Sequence, residues 1–327
     1  MTEMRAALFD RYGPPDVLYE GTVPRPVTGR DRVLVRVLAA TVNGGELVLR
    51  SGALPSWFMR GPFPRQTGLD FVGEVVEVGD AVTTYSVGDR VWGLLEEKPD
   101  ESGQTLRSLA EYVAVPPDCL APAPRTLDPA QAATLPVGSL TALIGLRHKA
   151  GLRDGERLLV RGAAGGVGSA VVQMGVALGA KVTALAGATT LDFVTGLGAA
   201  EAHDYRTTSP DDLGRFDVVF DTVGTELPRY RRLLAPGGRM IAARFDTDHL
   251  VRSLATIAAS AVHGRSRIRF FRGAPDAALL NEISEMADTG VLRPLVDESF
   301  PLSRVADAHR RLEQGGVRGK VVVTLTD

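Results

Sequence analysis

The chain has 327 residues, 44% apolar and 23% charged, with a net charge of −2 and one cysteine, Cys119. That length suggests about two domains, and the composition excludes a disordered or fibrous chain. The near-zero charge leaves no broad basic field for nucleic acid or anionic lipid, and one cysteine forbids an internal disulfide or a cysteine-rich zinc cluster.

The first residues, Met1 to Asp10, contain an apolar stretch without the h-region or cleavage site of a signal peptide. Nor does any run approach the ~20 apolar residues of a membrane helix. The expectation is a cytoplasmic protein with no membrane partner. Short β-type runs then follow, separated by Gly and Pro: Met4–Phe9, Arg32–Ala39, Phe71–Val78, Arg90–Gly93 and Ala110–Val115. Such spacing predicts an antiparallel, barrel-like domain. Residues 121–125 read as a stiff Ala-Pro-Ala-Pro-Arg connector. Asp128, Pro129 and Gln131 then read as N-cap, first helical residue and reciprocal cap of a helix.

From Glu156 strands and helices alternate. Strands are predicted at Arg157–Val160, Lys181–Ala186, Ala200–Asp204, Phe216–Phe220, Arg239–Ala243 and Arg267–Phe271. Helices are predicted at Val167–Leu178, closed by Gly179, at Leu191–Leu197, and at Leu227–Leu234, stopping at Pro236-Gly237-Gly238. This is the pattern of an α/β doubly wound parallel sheet. Beyond it come amphipathic helices at Asp276–Thr289 and Val305–Gln314 and a terminal strand at Gly319–Leu325. The expected division is a discontinuous domain of 1–121 and 273–327, and a Rossmann domain of 122–272.

The strongest local signal is Arg161-Gly162-Ala163-Ala164-Gly165-Gly166-Val167-Gly168-Ser169, between a strand and a helix. Gly165 lets backbone approach a pyrophosphate, Gly168 lets helix pack on strand, and the helix N-terminus attracts the anion. Ala163 stands where the G-x-G-x-x-G pattern has its first glycine. A dinucleotide that carries only a ribose hydroxyl is matched by Asp or Glu at the end of the second strand. Here that place reads Ala186-Gly187-Ala188-Thr189-Thr190, which favours NADP(H). Arg206, beside Tyr205, is a candidate for the extra phosphate, and Asp192 opposes it if it faces the site. Thr189 and Thr190 are equally readable as caps of the following helix.

These residues, with Gly13-Pro14-Pro15-Asp16-Val17-Leu18, Ala39-Ala40-Thr41-Val42-Asn43, Gly68-Leu69-Asp70-Phe71-Val72-Gly73, Val87-Gly88-Asp89-Arg90-Val91 and Gly319-Lys320-Val321-Val322, make the chain resemble the medium-chain dehydrogenase/reductase superfamily. Within it, the chain is similar to the zinc-free, zeta-crystallin-like quinone oxidoreductases. The resemblance implies a GroES-like β-barrel catalytic domain, a Rossmann domain, and NADP(H) in the cleft between them. It implies Asn43 near the nicotinamide end, Thr141 beside the cofactor and Tyr205 at the adenosine phosphate. Val223, Gly224 and Ala242 are implied along the cofactor through their backbone, and Phe270 and Phe271 near the nicotinamide. Lys320 matches a family lysine near the cofactor, and is equally readable as a solvated terminal-strand lysine. Glu46 stands where the family commonly has Asp.

Zinc-dependent relatives draw their ligands from cysteine and Gly-His-Glu segments, and a catalytic zinc needs three protein ligands. The matching stretches here are Asn43-Gly44-Gly45-Glu46 and Gly68-Leu69-Asp70, so no zinc is expected. His148, His203, His249, His263 and His309 read as surface or satisfied residues. Without a Lewis acid, the chemistry left is hydride transfer to a conjugated acceptor, a quinone or an α,β-unsaturated carbonyl. Asn43 is the candidate partner of the ribose or the acceptor oxygen, with Glu46 beside it. Trp57, Phe63 and Gln66 are candidate pocket residues, and Asp70 reads as a turn or ion-pair residue. A 2-enoyl-thioester reductase is the alternative enzyme, and a cofactor-binding scaffold with little catalysis the alternative outside enzymes. The alternating Arg265–Phe271 segment reads as an edge strand, and the resemblance implies a homodimer through 267–271.

Overall fold

The computed structural model describes residues 2–54, 62–95, 107–247, 249–271 and 273–326. The chain forms two compact units: Met1–Val137 with Ala274–Gly290 and Pro294–Asp327, and Gly138–Gly273 with Val291–Arg293. Residues 122–137 thus belong with the first unit, not with the Rossmann sheet. The reason is local packing. Helix Pro129–Ala133 lies on strands Val33–Val42 and Asp70–Val78, and Leu295 N donates to Thr134 Oγ1 at 3.3 Å. The helix start itself is as the sequence predicts. Gln131 N donates to Asp128 Oδ1 at 2.8 Å and Asp128 N to Gln131 Oε1 at 3.2 Å.

In the first unit, strand Glu3–Phe9 pairs antiparallel with Leu18–Pro24 and Arg65–Gln66. A larger sheet runs in the order 296–301, 320–324, 33–42, 70–78, 90–94, 120–122, with Tyr112–Val115 also paired to Val33–Val42. Only Val296–Pro301 and Lys320–Thr324 run parallel. An Ala6–Ala110 bridge and Ala7 N donating to Leu109 O at 2.8 Å tie the two sheets together. Val33, Val35, Val37, Phe71, Val75, Val91, Leu120, Val321 and Val323 share one core. Burial of each such side chain is worth about 1.5–3 kcal/mol before the entropy of ordering it is set against that. Helix Ala277–Asp288 lies against Leu120–Pro122, with Ser284 Oγ donating to Pro122 O at 2.7 Å. Strands Leu18–Pro24 and Val296–Pro301 lack the alternation that predicts a strand. Val-Asp-Glu-Ser-Phe-Pro leaves most of its side chains in water and is held by its neighbour's backbone.

The second unit is a six-stranded, wholly parallel sheet in the order 201–204, 181–186, 157–161, 216–221, 234–242, 268–270. The order reverses between Arg157–Arg161 and Phe216–Asp221, and ligands of such sheets bind beyond the strand C-termini at that switch point. One predicted helix is shorter than its pattern. It spans Leu227–Arg231, and Leu234 already belongs to strand Leu234–Ala242. Leu234 is buried opposite Phe216, and the register jump from Phe216/Leu234 to Val218/Arg239 absorbs Pro236-Gly237-Gly238 as a bulge. Helix Pro136–Leu143, its wider-wound continuation Ile144–Ala150 and helix Leu250–Ala259 fall where no element is predicted. Among the described residues, no helix is long and apolar enough to cross a membrane.

Candidate functional site

The switch point places the glycine-rich turn at the centre of the parallel sheet. Gly162 has φ +71°, a conformation that side-chain-bearing residues avoid. Gly165 is the N-cap of helix Gly166–Ala177, so the N–H groups of Gly166, Val167 and Gly168 open the helix without intrahelical partners. A Cβ at Gly168 would fall 2.0 Å from Gly162 O, and one at Gly138 would fall 2.5 Å from Gly166 O. The turn is therefore clamped between its own strand and helix Pro136–Leu143. Ala163 and Ala164 are buried, so the turn offers backbone and the positive helix end, which fit a pyrophosphate.

Around the turn the strand ends gather most of the other sequence candidates. A Cβ at Gly187 would lie 3.7 Å from Tyr205 Cε1. Tyr205 is 54% exposed, Arg206 Nε donates to its hydroxyl at 3.2 Å, and the guanidinium lies 5.5 Å from the ring centre. Thr189 is exposed, whereas Thr190 is buried and its hydroxyl donates back to Gly187 O at 3.0 Å. Thr190 does not bond the N-terminus of the next helix, so capping gives way to closure of the Gly187 turn. Val223 N and Gly224 N both donate to Asp221 Oδ1, at 2.9 and 2.6 Å. Arg161 pairs with Asp221, donates to Thr225 O at 2.7 Å and lies 3.6 Å over the Tyr230 ring. Burial pushes the Asp221 carboxyl up against the opposing pull of Arg161. Arg161 and Asp221 thus fix the turn at 222–225 beside Gly162. Asp221 was missed because a lone acid closing a buried strand carries no sequence signal.

Ala242 is fully buried in register between Asp221 and Phe270, so it offers only backbone. Phe270 is 38% exposed on the last strand and lies 5.3 Å from Phe245. Half-buried Phe271 rests near Gly145 beside Phe220. Thr141 is half-buried, its Oγ1 3.7 Å from where a side chain at Gly273 would begin.

The first unit holds a separate polar cluster. Strand Val33–Val42 delivers Thr41 and, two residues on and therefore on the same face, Asn43. Helix Gly44–Ser51 starts at Asn43, and Glu46 reaches back to accept the Asn43 N–H at 3.1 Å. Asn43 Nδ2 also donates to Glu46 Oε1 at 2.9 Å and to Asp70 Oδ1 at 3.2 Å. Thr41 Oγ1 donates to Asp70 Oδ1 at 2.6 Å, and Thr67 Oγ1 to Glu46 Oε2 at 2.8 Å. From the terminal strand, Lys320 Nζ donates to Asn43 Oδ1 and lies 3.5 Å from Asp70 Oδ2. Lys320 is 5% exposed and Asp70 fully buried, so the solvated reading of Lys320 gives way to an ion pair. Burial pushes the Glu46 carboxyl up, and the nearby Asp70 adds to this, against hydrogen bonds from Asn43 and Thr67 and the charge of Lys320. Thr41 and Thr67 are missing from the sequence-predicted set, whereas Asp70, read there as a turn or ion-pair residue, takes the ion pair with Lys320. The two-residue spacing of Thr41 and Asn43 is the signal that finds Thr41.

Phe63 packs edge-on against Phe9 and Tyr12 at 5.9 and 5.1 Å, and Gln66 pairs with Leu8. Trp57 lies outside the described residues. Among the described residues, no three His, Cys, Asp or Glu side chains gather as a metal-binding group. His309 departs from its sequence reading. It is fully buried, and neither ring nitrogen has a hydrogen-bond partner among the described residues.

Residues 29–125 match the family model described as the alcohol dehydrogenase GroES-like domain, and residues 197–323 that described as zinc-binding dehydrogenase. A chloroplastic NADPH-dependent alkenal/one oxidoreductase of Arabidopsis thaliana is 36% identical over 327 residues, covering 98% of this chain and 79% of the relative. A 2-methylene-furan-3-one reductase of Solanum lycopersicum is 34% identical, with the same coverage of each chain. The solved quinone oxidoreductase from Coxiella burnetii superposes with a TM-score of 0.89 at 28% identity, over 99% of this chain and 100% of that one.

Proposed function

The chain belongs to the medium-chain dehydrogenase/reductase superfamily, and from that membership we propose that it is an NADPH-dependent oxidoreductase acting on α,β-unsaturated carbonyls or quinones. The observation that carries the coenzyme choice is the meeting of an uncharged Gly187–Thr190 loop with Tyr205 and Arg206 beside the phosphate turn. No carboxylate stands at the end of strand Lys181–Ala186 to repel a 2′-phosphate. Arg206 supplies the matching charge, held in place by the Tyr205 hydroxyl.

When bound, the reduced nicotinamide supplies a hydride. The residues of this chain do the rest. The Gly162–Gly168 turn and its helix end hold the pyrophosphate. The Asp221-braced turn at Val223 and Gly224 presents its backbone, and Thr141, Phe270 and Phe271 are proposed neighbours of the coenzyme. Asn43 and Lys320 belong to the reacting end, with Glu46 fixing Asn43. Phe63 and Gln66 are proposed at the acceptor. A conjugated acceptor spreads the charge it receives over an enolate or hydroquinone, so positioning does most of the work. The stretches that match zinc-ligand segments, Asn43-Gly44-Gly45-Glu46 and Gly68-Leu69-Asp70, carry neither His nor Cys.

The test is oxidation of NADPH, followed by absorbance, with a 2-alkenal, a simple enone and 1,2-naphthoquinone. Turnover with at least one acceptor, and faster with NADPH than NADH, is expected. Silence with all three, or a stoichiometric zinc whose removal abolishes turnover, overturns the reading. The proposal also includes a homodimer through residues 267–271, supported by the place of strand Ile268–Phe270 at the sheet edge, and a cytoplasmic setting, supported by the single-cysteine composition.

A further inference from the structure

We propose that Lys320, and not Asn43, gives the hydrogen bond and positive charge to the carbonyl oxygen of the unsaturated substrate, with Asp70 as its positioning residue. The inference rests on the reductase reading above. Its basis is a count of donors. An asparagine amide has two N–H bonds and one acceptor oxygen. The two Asn43 N–H bonds face three acceptors within the cluster, Glu46 Oε1 at 2.9 Å, Asp70 Oδ1 at 3.2 Å and Thr41 O at 3.4 Å. Its oxygen faces the Lys320 ammonium. Turning the amide over would set oxygen against Asp70 and the Thr41 carbonyl and N–H against the Lys320 ammonium, so its partners fix this orientation. Asn43 has no hydrogen left to donate. What it keeps is one lone pair, which suits a hydroxyl.

Lys320 is in the opposite position. Its ammonium carries three donors, of which one reaches Asn43 Oδ1. The Asp70 Oδ2 atom, 3.5 Å away, is an ionic neighbour that receives no hydrogen bond among the described residues. An ammonium that is 5% exposed and makes one hydrogen bond among the described residues has donors that a ligand can use. As the conjugated C=C takes up hydride, negative charge develops on the substrate oxygen. A preformed cation in a dry site stabilises that charge without reorganising. The proton that completes the saturated product comes from water, and Lys320 keeps its own.

The test uses p-nitrophenol, whose absorbance reports its ionisation, as the oxyanion probe, with the whole chain. Bound to the parent, it is expected to ionise about one pH unit lower than when free. Lys320→Met is expected to abolish that shift and weaken p-nitrophenolate binding about tenfold, while NADPH affinity by fluorescence titration changes less than about twofold. Lys320→Met leaves Asp70 buried and unpaired, so Lys320→Met/Asp70→Asn, which removes both charges, is measured with it. Lys320→Arg is expected to recover part of the shift, and Asp70→Asn alone to reduce it. A probe that ionises alike in parent and Lys320→Met overturns the inference. So does a loss of NADPH binding as large as the loss of phenolate binding, which would assign Lys320 to the coenzyme. If the shift depends on Lys320 but the parent reduces no enone or quinone, the oxyanion site stands and the reductase reading falls.

Discussion

His309 lies inside helix Val305–Glu313, fully buried near Arg50, which pairs with Glu313. Burial first, and then the Arg50 charge, pull its pKa down to about 3. Between pH 6.5 and about pH 3 the unfolded chain takes up a proton that the folded chain refuses. Stability therefore falls on acidification by as much as about 1.4 kcal/mol per pH unit. His309→Leu removes both the unpartnered ring nitrogens and this titration. Urea unfolding at pH 7 and pH 5 should find the variant losing less stability than the parent, by on the order of 2 kcal/mol. An equal acid loss in both would show that His309 does not titrate this way. At the surface, Arg206 is expected to act on one coenzyme only. Arg206→Ala should weaken NADPH binding about tenfold and leave NADH unchanged, and an equal loss for both would remove Arg206 from the phosphate.

The strand–turn–helix from Arg157 to Ala177 separates folding from binding at two glycines three residues apart. Gly165 has ordinary extended backbone, φ −75° and ψ 173°, and a Cβ there would meet Gly162 O at 3.6 Å, ordinary contact. A Cβ at Gly168 would fall 2.0 Å from Gly162 O and 2.8 Å from Ala163 Cα. Gly165→Ala should keep the parental melting temperature yet lose coenzyme affinity, because its methyl group stands where phosphate approaches. Gly168→Ala should lower the melting temperature outright, by an overpacking cost of about 1–3 kcal/mol. Equal melting temperatures for the two variants would contradict this geometry. In the first unit the helix that begins at Asn43 has a comparable double duty. Glu46 both closes the helix start and turns the Asn43 amide, so the element's capping and the cluster's orientation are one set of bonds.

For the molecule as a whole, the testable quantity is mass. The parallel sheet ends, among the described residues, in the three-residue strand Ile268–Phe270, which pairs with Leu234–Ala242. The dimer proposed above would pair this edge with its own copy about a two-fold axis. Sedimentation velocity at micromolar protein should find a single species near twice the chain mass of 34.8 kDa. A species at the chain mass across the concentration range would end the dimer proposal.

The alternation of strand and helix from residue 157, the glycine-rich strand–turn–helix and the Asp128–Gln131 cap were legible because each is built from neighbours in sequence, through hydrogen bonds and backbone freedom that span a few residues. The short exposed strands, the Phe216–Leu234 bulge and the extent of the first unit depend on partners far along the chain. So does the polar cluster, whose members lie on segments around residues 41–46, 67–70 and 320. Sequence alone determined which residue types were available and which local elements they make. Only the tertiary structure decided that Lys320 is buried on Asp70, that Asn43 has already given its hydrogens away, and that His309 has no partner among the described residues, because burial and hydrogen-bond saturation are properties of what surrounds a side chain.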